Sequence, residues 1–161
     1  FAILPLLDDP AMVLKKELTY IPFFGWFIHK FKMIAVERSA GPAALRNLVR
    51  RGQEEIARGR QVVIMPEGTR RAPDDPPDYK PGAAALYGAL GAACVPFALN
   101  SGLYWPRRKF LRLPGTIIIE FLPAIPANLP RKEFQRRLEE AIETATSRLV
   151  AEGRRDLGQY K

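Results

Sequence analysis

Short apolar runs alternate with helical patterns from about residue 32 onwards, and this alternation limits the possible folds most strongly. Runs of β-branched and aromatic residues predict strands, whereas apolar residues three and four positions apart predict helices. Strands that alternate with helices form a largely parallel sheet. The sequence therefore predicts an α/β fold with a mostly parallel central sheet flanked by helices. The predicted strands cover 32–38, 61–65, 94–99 and 116–122, and the predicted helices lie between Pro42 and Gly59, over 83–93 and from about 131 to 152.

The length and composition suit one folded domain. The chain has 161 residues, of which 47% are hydrophobic and 26% charged, an ordinary globular balance. We predict a single domain over 1–152, incomplete at its N-terminus, and a frayed tail over 153–161. The uncharged stretch 81–106 is long enough to span a bilayer. Its glycines, prolines and polar residues instead favour an alanine-rich helix, a turn and a buried strand.

The excess of positive charge predicts an anionic partner. The formal net charge is +8, which suits nucleic acid, a phosphorylated metabolite or an anionic lipid surface. The acidic stretch 74–78 argues against a nucleic-acid groove. The single cysteine, Cys94, lies in an apolar run and is expected in the core rather than as a nucleophile. With one histidine, His29, a His-rich metal site is excluded, and no metal or cofactor is predicted.

Charged and polar residues follow two predicted strands at the point where each strand ends. Arg38 closes the first strand, and the second runs into Glu67, Gly68, Thr69 and Arg70. Ligands of parallel sheets bind beyond the carboxyl ends of the strands, and we expect these two strands to be near each other in the sheet. An arginine fork suits phosphate oxygens, and Glu67 beside so much positive charge is expected to stay ionised. A capped turn with a surface ion pair explains the same residues about equally well.

The stretch "IMPEGTR" resembles the Phe-Pro-Glu-Gly-Thr-Arg block of the glycerophospholipid acyltransferases, most closely the 1-acylglycerol-3-phosphate acyltransferases. Residues 15–38 and 79–99 resemble two further blocks, in the family order, and the likeness runs from about 1 to 126. Met65 replaces the phenylalanine. The resemblance implies a glycerol-3-phosphate acyltransferase-like fold. It also implies acyl transfer from acyl-CoA or acyl carrier protein to the free hydroxyl of lysophosphatidic acid, giving phosphatidic acid.

The resemblance also implies roles for individual residues. Arg38 would contact the acceptor phosphate, and Lys80 matches a basic position near the same group. The glycerol-phosphate-binding block corresponds to Glu67, Gly68, Thr69 and Arg70.

The family's catalytic block, a histidine and an aspartate separated by four residues, has no match in this sequence. The residues after His29 do not fit the pattern. The block is expected upstream of Phe1, so this chain is expected to bind substrate without catalysing its reaction.

Two stretches, 21–32 and 103–115, mix aromatic with basic residues. Aromatic side chains favour the membrane–water interface and basic ones favour anionic lipid, although local core packing would explain both stretches. An anionic membrane surface and the cytoplasmic face of the membrane are therefore predicted. The alternatives are another lysophospholipid or glycerol 3-phosphate as acceptor, or a non-enzymatic phosphate-binding domain. The predicted membrane-contact residues are Trp26, Tyr104, Trp105, Arg107, Arg108, Lys109 and Phe110.

Overall fold

The structure is a computed structural model, which describes residues 3–69, 71–107, 110 and 112–159. The chain divides into two compact units, which are described separately. The first unit comprises Phe1–Pro66 and Lys80–Gly91, and the second comprises Glu67–Tyr79 and Ala92–Lys161. The single domain over 1–152 stays a prediction.

The first unit contains a parallel three-stranded sheet, as the alternating pattern predicts. Its strands are β1 (Pro10–Lys15), β2 (Ile34–Val36) and β3 (Gln61–Val63), in the order β2-β1-β3. The sequence pattern missed β1, which is the central strand. The strands β2 and β3 are near each other in the sheet, as expected, with β1 between them.

Three helices complete the first unit: α1 (Phe24–Lys30), α2 (Gly41–Ala57) and α3 (Pro81–Leu90). Both α2 and α3 carry a proline in their first turn, where its fixed φ suits the helix and its missing N–H costs nothing. Gly52 lets α2 approach α3, because a Cβ there would lie 2.5 Å from the Leu86 side chain. The buried core consists of Ala11 and Ile34 from the sheet, Leu48 from α2 and Leu86 from α3.

A buried ion pair lies between α2 and the start of β3. Although both side chains are charged, Glu55 is fully buried and Arg60 is only 8% exposed. Arg60 Nη1 donates to Glu55 Oε2 at 2.7 Å. Burial alone would raise the pKa of Glu55, but the Arg60 hydrogen bond and the nearby arginine charges outweigh it and hold that pKa below its usual range. A buried carboxylate is thus kept ionised by a partner that follows it closely in the chain.

The second unit combines a small antiparallel sheet with a long helix. Its strands β4 (Phe97–Leu99) and β5 (Ile119–Phe121) pair with each other, and its helices are α4 (Ser101–Tyr104) and α5 (Arg131–Gln159). Ala98 of β4 packs against Ala145 and Leu149 of α5. Helix α5 continues to Gln159, so 153–159 form its last turns rather than the predicted frayed tail.

The predicted strands exist but are shorter than the apolar runs that predicted them. The uncharged stretch forms α3, a turn, β4 and α4, so its interpretation as a helix, a turn and a strand is confirmed. Within the described ranges, no helix is both long and apolar enough to cross a membrane.

Candidate functional site

The three parallel strands of the first unit end at one edge of the sheet, and charged side chains follow two of them there. Lys16 comes after β1 and Glu37 after β2, and Lys16 Nζ lies 2.7 Å from Glu37 Oε2. Their hydrogen bond raises the pKa of Lys16 and lowers the pKa of Glu37. The two charges compensate each other, so this pair contributes a structural link between the two strand ends rather than a net anion site.

Arg38 lies at the same edge, as its place at the end of a predicted strand implied. It is exposed and begins a short 3-10 turn, Arg38–Ala40, which leads directly into α2. Gly41, with φ of +51°, makes the sharp change of direction, in a conformation that glycine adopts without steric cost. A guanidinium at this edge is in the region where parallel sheets bind ligands.

Lys80 is held at the point where the chain returns to the first unit. Its side chain is exposed, and its backbone N–H donates to the Pro66 carbonyl at 2.9 Å. Pro66 is the last residue of the first unit before the Glu-Gly-Thr-Arg segment, and α3 begins immediately after Lys80. The hydrogen bond therefore fixes both ends of the segment 67–79.

Within the second unit, Glu67 is used to close its own loop. Glu67 Oε1 accepts a hydrogen bond from the Asp78 N–H at 3.2 Å and lies 3.6 Å from Arg71 Nε. Arg71 Nη1 also donates to Asp78 Oδ2 at 3.4 Å. The sequence analysis did not identify Arg71 as a partner of Glu67. These three residues, which we call the Glu67–Arg71–Asp78 clasp, hold the two sides of the loop together.

The clasp changes the expected ionisation of Glu67. Burial raises the pKa of this carboxyl above its ordinary value, and the Asp78 N–H and the Arg71 charge only partly oppose the effect. Burial therefore disfavours the ionised form of Glu67 more than its neighbours stabilise it, contrary to the expectation from the sequence.

Gly68 and Thr69 form the part of the motif that can approach a ligand. Gly68 has φ of +67°, a left-handed conformation that favours glycine, and Thr69 is exposed. Arg70 lies outside the described residues. The predicted site residues are thus divided between the units, with Arg38 and Lys80 in the first and Glu67, Gly68 and Thr69 in the second.

Helix α5 anchors the loop that carries the motif. The Tyr79 hydroxyl donates to Glu143 Oε1 at 2.9 Å, and Arg154 Nη2 donates to Asp74 Oδ1 at 2.8 Å. Burial and the Glu143 hydrogen bond raise the pKa of Tyr79 well above its usual range, so this hydroxyl stays protonated as a donor. The loop is therefore fixed at its acidic tip and at its end.

The predicted membrane-contact residues differ in exposure. Trp26 is 64% exposed and Trp105 is 51% exposed. Each carries a cation over its ring, Lys30 Nζ and the Arg112 guanidinium respectively, both 4.6 Å from the ring centre. Arg107 and Phe110 are exposed, whereas Arg108 and Lys109 lie outside the described residues.

Tyr104 corrects the prediction, because it is only 3% exposed and cannot meet a membrane. Two glycines that are distant in sequence make room for its side chain. A Cβ at Gly115 would lie 2.0 Å from the Tyr104 ring, and one at Gly153 would lie 2.7 Å from its hydroxyl oxygen. Core packing, the alternative explanation for this stretch, therefore applies to Tyr104.

Cys94 is expected to alkylate slowly. Burial raises the pKa of its thiol to about 11, from an ordinary value of 9.0, so its thiolate fraction at pH 8 falls about a hundredfold. We expect iodoacetamide to modify the folded protein about a hundredfold more slowly than an unstructured cysteine peptide, as measured by mass spectrometry. The chain unfolded in urea is the control and should react at the peptide rate. A folded protein that reacts as fast as the peptide would contradict the raised pKa of the partly buried Cys94 thiol.

The remaining titratable residues offer no metal centre in the part of the chain that the structure describes. No group of three His, Cys, Asp or Glu side chains there could hold a metal ion. His29 is exposed in the last turn of α1.

Comparisons with known proteins point to one family. The family model described as Acyltransferase matches residues 2–100. The 1-acyl-sn-glycerol-3-phosphate acyltransferase of Pseudomonas aeruginosa is 37% identical over 142 residues, which are 88% of this chain and 55% of that protein. The putative 1-acyl-sn-glycerol-3-phosphate acyltransferase acl-1 of Caenorhabditis elegans is 28% identical over 121 residues, 74% of this chain and 46% of that protein. This chain spans about half the length of the curated relatives it matches.

A solved structure shows the same fold. The crystal structure of the 1-acyl-sn-glycerophosphate (LPA) acyltransferase PlsC from Thermotoga maritima matches with a TM-score of 0.71 and 22% identity, covering 92% of this chain and 60% of that one. This likeness confirms the predicted fold. The family model and the Pseudomonas relative confirm the family resemblance drawn from the residues. Because the family model spans more than half of the sequence and includes Arg38, Lys80 and the Pro-Glu-Gly-Thr-Arg segment, the chain belongs to the acyltransferase family.

Proposed function

We propose that this chain forms the acceptor-binding part of an enzyme that transfers an acyl group to the free hydroxyl of lysophosphatidic acid, giving phosphatidic acid. The observation that carries the proposal is the Pro-Glu-Gly-Thr-Arg segment. It follows the carboxyl end of a parallel strand, with its loop closed by the Glu67–Arg71–Asp78 clasp. The identity to the Pseudomonas acyltransferase supports the choice of acceptor. The donor is acyl-CoA or an acyl carrier protein.

The chemistry assigns a separate task to each described residue. Arg38 supplies a planar set of donors for the phosphate oxygens, and Lys80 supplies a second positive charge. Gly68 allows the phosphate or glycerol group to approach the backbone, and the Thr69 hydroxyl can donate to it. The reaction itself requires a base that removes the proton of the attacking hydroxyl. We propose that a histidine and an aspartate of the family's catalytic pattern, which the given sequence does not contain, supply this base, and that the present chain binds acceptor without turnover.

Two measurements test these statements separately. Isothermal titration of this chain with glycerol 3-phosphate, the soluble head group of the acceptor, should show saturable binding. A polypeptide extended upstream through a His-four residues-Asp block should release free thiol from acyl-CoA only when lysophosphatidic acid is added. Binding without thiol release from the extended polypeptide would support a non-enzymatic phosphate-binding domain instead. Failure of both measurements would reject the proposal.

A different lysolipid acceptor is the second candidate. The lyso-ornithine lipid O-acyltransferase of Pseudomonas aeruginosa is 27% identical over 149 residues, 81% of this chain. The same thiol-release assay, run with lysophosphatidic acid, lyso-ornithine lipid and glycerol 3-phosphate at matched concentrations, separates the candidates. The highest kcat/KM with lysophosphatidic acid is expected, and a higher value with either other acceptor would reassign the substrate.

We also propose that the protein works at the anionic cytoplasmic face of a membrane. Lysophosphatidic acid is a membrane lipid, and the net charge of +8 favours an anionic surface. Trp26, which is 64% exposed, adds apolar surface suited to the interface.

A further inference from the structure

The turn before α1 and the helix itself expose an unusual amount of apolar side chain. We call this surface the α1 ridge, and Phe23 is its most exposed member at 90%, followed by Tyr20 at 72% and Trp26 at 64%. Exposed contiguous apolar patches on a small unit mark surfaces that bind something. The α1 ridge consists of Tyr20, Ile21, Phe23, Trp26 and Phe31.

The opposite side of α1 is fixed to the body of the first unit. Gly25 and Ile28 are its buried residues. A Cβ at Gly25 would lie 1.9 Å from the Thr19 carbonyl oxygen, so the helix rests directly on the preceding 3-10 turn Lys16–Tyr20. The ridge is therefore presented by a rigid support.

Phe23 is held outwards at a conformational cost. Its φ is +62°, a region that non-glycine residues rarely adopt. Folding alone would favour glycine at this position. A large aromatic residue that is both strained and almost fully exposed indicates that its ring is needed outside the folded unit.

The charges around the ridge select the occupant. No acidic residue occurs between Glu17 and Glu37, and the ridge is bordered by two lysines, Lys30 and Lys32, both exposed. Lys30 Nζ lies over the Trp26 ring, which places a positive charge beside an aromatic ring. Aromatic rings and lysines combine in this way at the interface of an anionic bilayer.

We propose that the α1 ridge inserts into the head-group region of an anionic bilayer, with Phe23 as the deepest residue and Lys30 and Lys32 at the lipid phosphates. The proposal deepens the membrane placement proposed above. Its test measures vesicle binding without any acyl transfer, so its failure can be distinguished from a failure of the proposed acyl-transfer activity. It also selects the Trp26 surface of the first unit over the Trp105 surface of the second.

The two tryptophans of the chain provide a direct test. Trp105→Phe leaves Trp26 as the sole fluorophore, and Trp26→Phe leaves Trp105. With vesicles containing about one third anionic lipid, brominated acyl chains should quench Trp26 strongly and Trp105 weakly. Unquenched Trp26 in vesicle-bound protein would overturn the proposal.

Variants of Phe23 separate insertion from folding. Phe23→Gly should lower the vesicle partition constant about tenfold, because one buried phenylalanine is lost. Its thermal midpoint should stay equal or rise, because the strained φ is relieved. Phe110→Gly removes a phenylalanine of the second unit that is at least as exposed as Phe23 and should change partitioning less than twofold. A larger loss with Phe110→Gly than with Phe23→Gly would contradict the assignment.

The charge requirement has its own matched control. Lys30→Gln with Lys32→Gln should weaken binding to anionic vesicles on the order of tenfold and leave binding to neutral vesicles unchanged. Lys132→Gln, which changes an exposed lysine of α5, should have a much smaller effect. Concentration-dependent dimers that Phe23→Gly abolishes, with no quenching of Trp26 by lipid, would assign the ridge to a second copy of the chain and overturn the proposal.

Discussion

Replacing Arg60 with methionine is expected to lower the free energy of unfolding by about 3–5 kcal/mol at pH 7. The substitution leaves Glu55, which is fully buried, without the guanidinium that donates to it at 2.7 Å. The half-exposed Arg58 remains beside Glu55, but removing the buried partner of a charge in the interior is far more costly than losing an exposed ion pair. Urea unfolding followed by circular dichroism measures the difference.

Replacing Arg60 also removes hydrogen bonds that join separate segments of the first unit. Arg60 donates to three backbone carbonyl oxygens at 3.0–3.2 Å, and Nη2 lies 3.0 Å from Asp9 Oδ1. A methionine fills similar volume but donates no hydrogen bond. Lysine at this position keeps the charge but lacks the planar fork, so Arg60→Lys should recover only part of the loss. The carbonyl groups belong to Pro10, Phe31 and Lys32.

Two further variants control for the effect of charge. Arg58 also contacts Glu55 but its side chain is 53% exposed, so Arg58→Gln should cost less than about 1 kcal/mol. The double variant Glu55→Leu with Arg60→Met removes both charges and should recover much of the stability lost by Arg60→Met alone. If Arg60→Met were no more destabilising than Arg58→Gln, the buried pair would not have the importance assigned to it.

The difference in the free energy of unfolding between wild type and Arg60→Met should depend on pH. Burial opposes ionisation of Glu55, but Arg60 and its neighbours hold its pKa below the ordinary value of 4.5. The pair's contribution is therefore fully present above about pH 4.5 and is lost as the pH falls through the lower folded-state pKa. Without Arg60, burial should raise that pKa, and protonation then favours the folded variant. The difference in the free energy of unfolding between wild type and Arg60→Met should accordingly be smaller at pH 4 than at pH 7.

Alanine at Arg38 or at Arg70 is expected to weaken binding of glycerol 3-phosphate roughly ten- to hundredfold, because each change removes a charged hydrogen-bond donor from the phosphate. For Arg38 the basis is its exposed place at the carboxyl edge of the sheet. For Arg70 the basis is its place in the Pro-Glu-Gly-Thr-Arg segment. Isothermal titration of the chain measures the affinity, and the extended polypeptide should show a matching rise in acceptor KM.

A matched control is provided by Arg46, an exposed arginine of α2. Arg46→Ala changes the net charge as Arg38→Ala does but should leave the affinity within about twofold, because general attraction by one surface charge is weak in salt. Arg38→Lys and Arg70→Lys should retain part of the affinity, since the charge remains and the fork is lost. An affinity unchanged by either alanine variant removes that arginine from the phosphate site.

Local signals were enough to predict the helices and the position of the motif. Pro42 stands in the first turn of α2 and Gly59 follows its end, so short-range rules located that helix. The alanine-rich run located α3, although the helix begins at Pro81, two residues before the predicted start. The alternation of strands and helices also indicated that Arg38 and Glu67 follow strand ends. These features depend on residues that are close in sequence.

Features that depend on distant residues were missed. Strand β1 pairs with both β2 and β3 and is therefore the central strand. It was not predicted because charged residues, Asp8, Asp9 and Lys15, stand at both of its ends. The burial of Glu55 depends on Arg60 and on carbonyl groups from two other segments. Sequence spacing alone does not show these contacts.

The same limit explains the errors at the candidate site and on the membrane surface. Arg71 acquires its role only because the loop brings Asp78 back beside Glu67. Tyr104 is buried because Gly115 and Gly153 both lack a side chain where its ring lies. The mixture of aromatic and basic residues in a stretch therefore did not show which of its aromatic side chains are exposed.

The central position of β1 affects the order in which the first unit can assemble during protein synthesis. Among the described strands of that sheet, β1 leaves the ribosome first, and β2 and β3 then add to its two sides without displacing an earlier neighbour. In the order β1-β3-β2, by contrast, the second strand would have had no neighbour to pair with until the third emerged. This sheet can grow outwards in both directions from the strand that is translated first.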